Sequence, residues 1–113
     1  MPISIKLKNY ELKPLPTGVF GLDGGAMFGT VPKVLWERTN PADPLNRIEL
    51  EARGLLLKSP NRNVVIDTGN GSDFVAKYGE KLGSKFAQIY NITNKSPSVI
   101  NAVAKWGLRP DQI

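Results

Sequence analysis

The sequence predicts an α/β protein with a mainly antiparallel or mixed sheet and short helices, on three observations. Apolar and polar residues alternate through Ile3-Ser4-Ile5-Lys6-Leu7 and again through Arg47-Ile48-Glu49-Leu50-Glu51, the period of a strand with one solvated face. The run Val64-Val65-Ile66 is wholly apolar and ends in Asp67-Thr68-Gly69, the form of a buried strand that delivers a carboxylate to a sheet edge. Beyond it, Phe74, Val75, Tyr78 and Leu82 recur at helical spacing, and the period changes from strand to helix.

In chain order, the first strand begins at Ile3, draws on Tyr10, Leu12 and Leu15, and is expected to break at Pro14 and Pro16, because proline cannot donate to a ladder. Gly18–Asp23 reads as a second short strand. It enters Gly24-Gly25-Ala26-Met27-Phe28-Gly29, a tract too glycine-rich for a regular element. Val31–Trp36 is a short helical turn, and Thr39–Pro44 a loop. Arg47–Lys58 is one long strand whose far end, Leu55-Leu56-Leu57, suits burial on both faces. Ser59–Asn63 turns the chain so that Val64–Asp67 returns antiparallel. Gly79 weakens the helix from Phe74, and Phe86–Tyr90 is open between helix and strand. Ser96-Pro97 starts a further helix, Ser as cap and Pro in the first turn, with Val99, Ile100, Val103 and Trp106 as its stripe and Gly107 at its end. Leu108–Ile113 leads towards another element.

With 113 residues, 41% of them hydrophobic, the chain fits one small globular domain. The net charge of +5 comes from lysines spread singly or in loose pairs. That spread reads as a solvated surface and not as a nucleic-acid footprint. There is no cysteine and no histidine, so neither a disulfide framework nor a thiolate or imidazole metal site can form. The N-terminus lacks the apolar core of a signal peptide, and no run approaches the length of a membrane span. The expectation is a cytoplasmic protein with no membrane and no nucleic-acid partner.

Asp67-Thr68-Gly69-Asn70-Gly71 has two readings: a carboxylate that orients a ligand or supports a metal site, or a plain turn. Asp23–Gly29 fits neither the P-loop nor the dinucleotide pattern. Its Met27 and Phe28, with Val31, Leu35 and Trp36, could line a pocket or fill a core. Nucleophilic catalysis has no His or Cys partner to use. Glu49 and Glu51 lie on one face of an alternating strand, expected to be solvated, which argues against a glycosidase-like pair.

Taken in order, Phe20–Gly29, Val31–Trp36, Leu55–Leu57 and Val65–Gly69, with the closing stretch from Ser96 to Ile113, resemble the N-terminal part of a metallo-β-lactamase superfamily hydrolase. The resemblance implies an αββα sandwich, of which residues 1–113 supply most of the first sheet and its early helices, ending before an H-x-H-x-D-H metal motif. It implies a zinc or other divalent metal in the intact protein, activating water against an ester, lactone or related bond of a small molecule. The Gly-Gly-Ala-Met-Phe-Gly form is similar to lactonase-like and organophosphate-hydrolase-like members. By the same resemblance Asp67 supports the metal-binding loop without ligating, Gly69 lets the chain turn away, Met27, Phe28 and Trp36 wall the substrate pocket, and Asp23 places their loop. No metal ligand and no catalytic residue lie in this chain, which alone is expected to bind no metal. Its expected partner is a segment carrying the histidines. The alternative is a truncated, non-enzymatic remnant that acts as an interaction or homodimerisation module, because half a sandwich leaves apolar surface uncovered.

Overall fold

The structure is a computed structural model that describes residues 3–92 and 97–113. It is a mixed α/β fold with one four-stranded antiparallel sheet in the order β1-β2-β3-β4. The strands are β1 (Ile5–Leu7), β2 (Tyr10–Asp23), β3 (Arg47–Lys58) and β4 (Asn63–Ile66). Contacts divide the chain into two compact units. The first comprises Met1–Gly18, Ala52–Ser72 and Asn94–Ile113, the second Val19–Glu51 and Asp73–Thr93.

In the first unit β1 and β2 form a hairpin with Leu7 opposite Tyr10 and Ile5 opposite Leu12. The expected break at the prolines does not occur, and the separate strand from Gly18 is the continuation of β2. The reason is position. The ladder with β1 reaches Leu12, so Pro14 and Pro16 lie beyond it on a side of β2 where, among the described residues, there is no strand to donate to. Each residue of an antiparallel ladder points its N and its C=O to the same side. The Pro14 carbonyl accepts from the Trp106 indole Nε1 at 3.1 Å, which places its nitrogen, and that of Pro16 two residues on, away from β3.

The second hairpin sets Lys58 opposite Asn63 and Leu55 opposite Ile66, as the alternation in β3 and the Ser59–Asn63 turn predict. The expectation of full burial in β4 is corrected. Val64 and Val65 are half-buried, and Ile66 is 53% exposed, because β4 is the sheet edge. The far end of β3 is likewise mixed, with Leu56 buried and Leu55 and Leu57 half-buried. The core of this unit is Leu15, Leu56, Ala102, Val103 and Leu108, with Val65, Val99 and Trp106 against it.

Ala102 and Val103 come from α4 (Val99–Ala104). Its cap is Ser98, whose side chain accepts from Asn101 N; Ser96, the expected cap, lies outside the described residues. Val103 and Trp106 pack inward as the stripe predicts, whereas Ile100 is exposed. Gly107 ends the helix at φ +79. Leu108 N bonds Val103 O at 3.2 Å and Gly107 N bonds Ala104 O at 3.0 Å, the paired bonds of a glycine-terminated helix. A 3-10 turn at Pro110–Gln112 follows.

In the second unit, α1 (Gly24–Phe28) occupies the tract expected to be irregular, and α2 (Lys33–Trp36) the expected helical turn. Two glycines do not prevent a one-turn helix when its first N–H groups are capped and a neighbour needs the missing side chain. α3 (Phe74–Ile89) is two helical pieces joined at Gly79, where φ is 82° and ψ 164°. The pieces fold against each other: a Cβ on Gly83 would lie 2.4 Å from the Phe74 carbonyl oxygen, and the Phe74 and Phe86 rings are 5.2 Å apart. The stretch from Phe86 to Ile89 is helical. Among the described residues no helix is long and apolar enough to cross a membrane.

Candidate functional site

The residues singled out by sequence fall into two places, one in each unit. In the first unit, β4 ends at Ile66 and the chain turns sharply. Asp67 adopts a left-handed conformation at φ +68, and Gly69 follows at φ +73. Asp67 Oδ1 accepts from Gly69 N at 2.9 Å, an aspartate closing its own turn.

Two glycines and a threonine give this turn its room. A Cβ on Gly69 would meet Thr17 Oγ1 at 2.2 Å. A Cβ on Gly54, in the middle of β3, would lie 2.7 Å from the Ile66 carbonyl oxygen and 2.8 Å from that of Asp67. Thr17 is buried and donates its hydroxyl to Ala52 O at 2.9 Å, which satisfies a polar group that would otherwise be costly to bury. The turn is thus held on three sides. Asp67 itself is exposed, and its Oδ2 has no hydrogen-bond partner among the described residues. One carboxylate oxygen shapes the backbone and the other is presented outward.

In the second unit Asp23 ends β2 and caps α1. Its Oδ1 accepts from Ala26 N at 2.9 Å, and its Oδ2 accepts from Asn46 Nδ2 at 3.2 Å. The Ala26 amide, then the Asn46 amide group, lower the carboxyl pKa below its ordinary 3.8, because both bonds favour the charged form. Gly24 N donates to Asn46 O at 2.7 Å, so this loop clasps the start of α1 from both chain directions. Asn46 Oδ1 is buried without a hydrogen-bond partner among the described residues.

Asp43 organises the approach to β3. Its Oδ1 accepts from Leu45 N and Arg47 N, and its Oδ2 from Arg47 Nε at 2.7 Å. The Arg47 backbone amide is the largest cause of its lowered pKa, with further help from the guanidinium. Arg47 Nη1 then donates to the Gln88 and Ile89 carbonyls at 2.8 and 3.0 Å, a cation on unpaired carbonyls at a helix C-terminus.

A cleft of about 560 Å³ lies among these groups, walled by Leu22, Met27, Leu45 and Ile89 with Asp23 and Arg47 as its charged members. Asp23 and Met27, both singled out by sequence, line it. Phe28 and Trp36 do not. Their rings stack at 5.3 Å and 10°, and Trp36 is only 4% exposed. A Cβ on Gly24 would come within 2.3 Å of the indole, so Gly24 is the floor on which Trp36 packs.

Sequence reasoning missed Thr17, Asp43, Asn46, Gly54 and Arg47. Gly54 carried a signal, since a glycine within a strand pattern marks a close backbone approach. Asp43 carried one as well, an aspartate two residues before a turn amide. Thr17 on Ala52, and Arg47 in its bonds to Gln88 and Ile89, act on atoms far away in sequence and left no local trace.

No protein-family model and no curated protein matches the sequence. The chain is similar to the crystal structure of a probable metal-dependent hydrolase from Staphylococcus aureus, at 31% identity and a TM-score of 0.75. The match covers 96% of this chain and 36% of that one, so the chain spans little more than a third of its neighbour's length.

Proposed function

We propose that this chain is the N-terminal portion of a metal-dependent hydrolase of the metallo-β-lactamase kind, whose metal ligands lie in a segment beyond these residues. The observation that carries the reading is the similarity over 96% of the chain to a probable metal-dependent hydrolase. The geometry of the Asp67 turn supports it. A carboxylate oxygen presented from a turn held by two glycines is suited to accept the N–H of a metal-bound imidazole and fix its orientation.

The residues present do not fit a metal centre by themselves. The sequence has no His or Cys, and among the described residues no three His, Cys, Asp or Glu stand together. Zinc or another divalent ion would be held by the other segment. What this chain contributes is position: Asp67 as support, and the cleft beside Asp23 and Met27 as an apolar wall for a small ester- or lactone-like substrate.

A chimera tests this reading, with the matched third of the staphylococcal hydrolase replaced by this chain. The expected result is a folded protein that retains bound metal and hydrolyses simple esters. A folded chimera without metal or activity would overturn it.

A second reading, a non-enzymatic remnant that associates with itself, draws on one observation. Leu82, Phe86 and Ile89 lie along one face of the second piece of α3 and are all exposed. Light scattering after size exclusion separates the two: a discrete dimer favours the remnant, and association without fixed stoichiometry favours the portion of a hydrolase.

A further inference from the structure

We infer that the cleft between the two hairpin tips of the first unit is a binding site for a small oligophosphate. The cleft has a volume of about 390 Å³ and is lined by Lys6, Lys8, Tyr10, Glu11 and Lys58, with Asn9, Ser59 and Pro60 completing its rim. Lys6 and Lys8 come from the β1–β2 hairpin and Lys58 from the end of β3, so cations face the space from two separate elements.

None of these three lysines makes an ion pair among the described residues. The one lining carboxylate is already engaged. Glu11 accepts from Ser4 Oγ at 2.9 Å and pairs with Lys13 Nζ at 3.1 Å. The Ser4 bond, then the Lys13 bond, lower its pKa below its ordinary 4.5. Glu11 therefore stays charged and, opposite Lys6 in the ladder, offsets part of the lysines' field; three lining lysines against one carboxylate still leave the cleft net positive.

The two tips are also tied to each other. Arg62, in the β3–β4 turn, donates its Nε to the Tyr10 hydroxyl at 3.2 Å. The turn itself is closed by Ser59 Oγ, which donates to Arg62 O and accepts from Arg62 N. The cleft is thus built before any ligand arrives, which lowers the ordering cost of binding. Lysine serves phosphate as a compact point charge. Cations contributed by two separate strands favour a ligand with two or more linked phosphates over a single one. Pyrophosphate and the diphosphate tail of a nucleotide share that chemistry.

Isothermal titration of the full chain with pyrophosphate and with ADP, at low and at high ionic strength, tests the site. Expected is saturable one-to-one binding of pyrophosphate that weakens as salt rises, and that weakens roughly tenfold in Lys6→Gln and again in Lys58→Gln. ADP binding with the same lysine dependence assigns the site to a nucleotide tail; pyrophosphate binding alone assigns it to the free anion. Absence of binding at low salt would overturn the inference, and so would equal affinity in the parent and both variants. Lys77→Gln, on α3, is the control and should bind as the parent does.

Discussion

Gly69 meets two independent demands, a positive φ and the absence of a Cβ beside Thr17. Gly69→Ala is expected to destabilise the chain by about 2–4 kcal/mol, from steric overlap added to backbone strain. Gly29 has a positive φ but open space around it, so Gly29→Ala should cost only about 1 kcal/mol. Urea denaturation of both variants checks the difference, and equal losses would count against the Thr17 contact. The aspartates give a pH prediction. Asp23 and Asp43 have folded pKa values below their ordinary 3.8, so their stabilising contribution is present above that value and is lost as pH falls through the folded pKa. The urea midpoint should therefore fall as acid is added below about pH 4, and less steeply in Asp43→Asn. At this scale Asp67 and Gly69 were legible because aspartate and glycine advertise turns. Thr17 was not, because its partner Ala52 is remote in sequence.

Among the elements, the long β3 strand, the return through β4 and the glycine-ended α4 could be read from period and punctuation. β2 could not be read as one strand, because prolines inside a run argue against a ladder and the sequence does not show that β1 stops short. On that side the Trp106 indole donates to the Pro14 carbonyl. Trp106→Phe keeps the ring and removes the donor, and is expected to cost about 1–2 kcal/mol in urea denaturation. No loss would mean that water replaces the indole. α1 was hidden for a related reason. Glycine-rich tracts resemble loops, and only the Trp36 ring over Gly24, with the Asp23 cap, explains why this one is helical. The break in α3 at Gly79 was half legible: the glycine was visible, but the folding of one piece onto the other depends on Gly83 and Phe74 meeting.

For the whole molecule, the chain shares a fold with about a third of a probable metal-dependent hydrolase, and its own residues supply no metal-binding cluster among those described. The sequence made the absence of histidine plain and pointed to Asp67. It could not show that two of the four expected pocket residues, Phe28 and Trp36, stack together while Asp23 and Met27 line a cleft. Asp67 is proposed to support a metal centre whose ligands lie elsewhere. Metal titration, followed by calorimetry, tests it most directly on three proteins: the chain alone, its chimera with the remainder of the staphylococcal hydrolase, and the chimera carrying Asp67→Ala. Expected are no stoichiometric zinc binding by the chain, tight binding by the chimera, and affinity reduced about 10- to 100-fold in the variant. Stoichiometric zinc on the chain alone, or an Asp67→Ala chimera that binds as tightly as its parent, would contradict it.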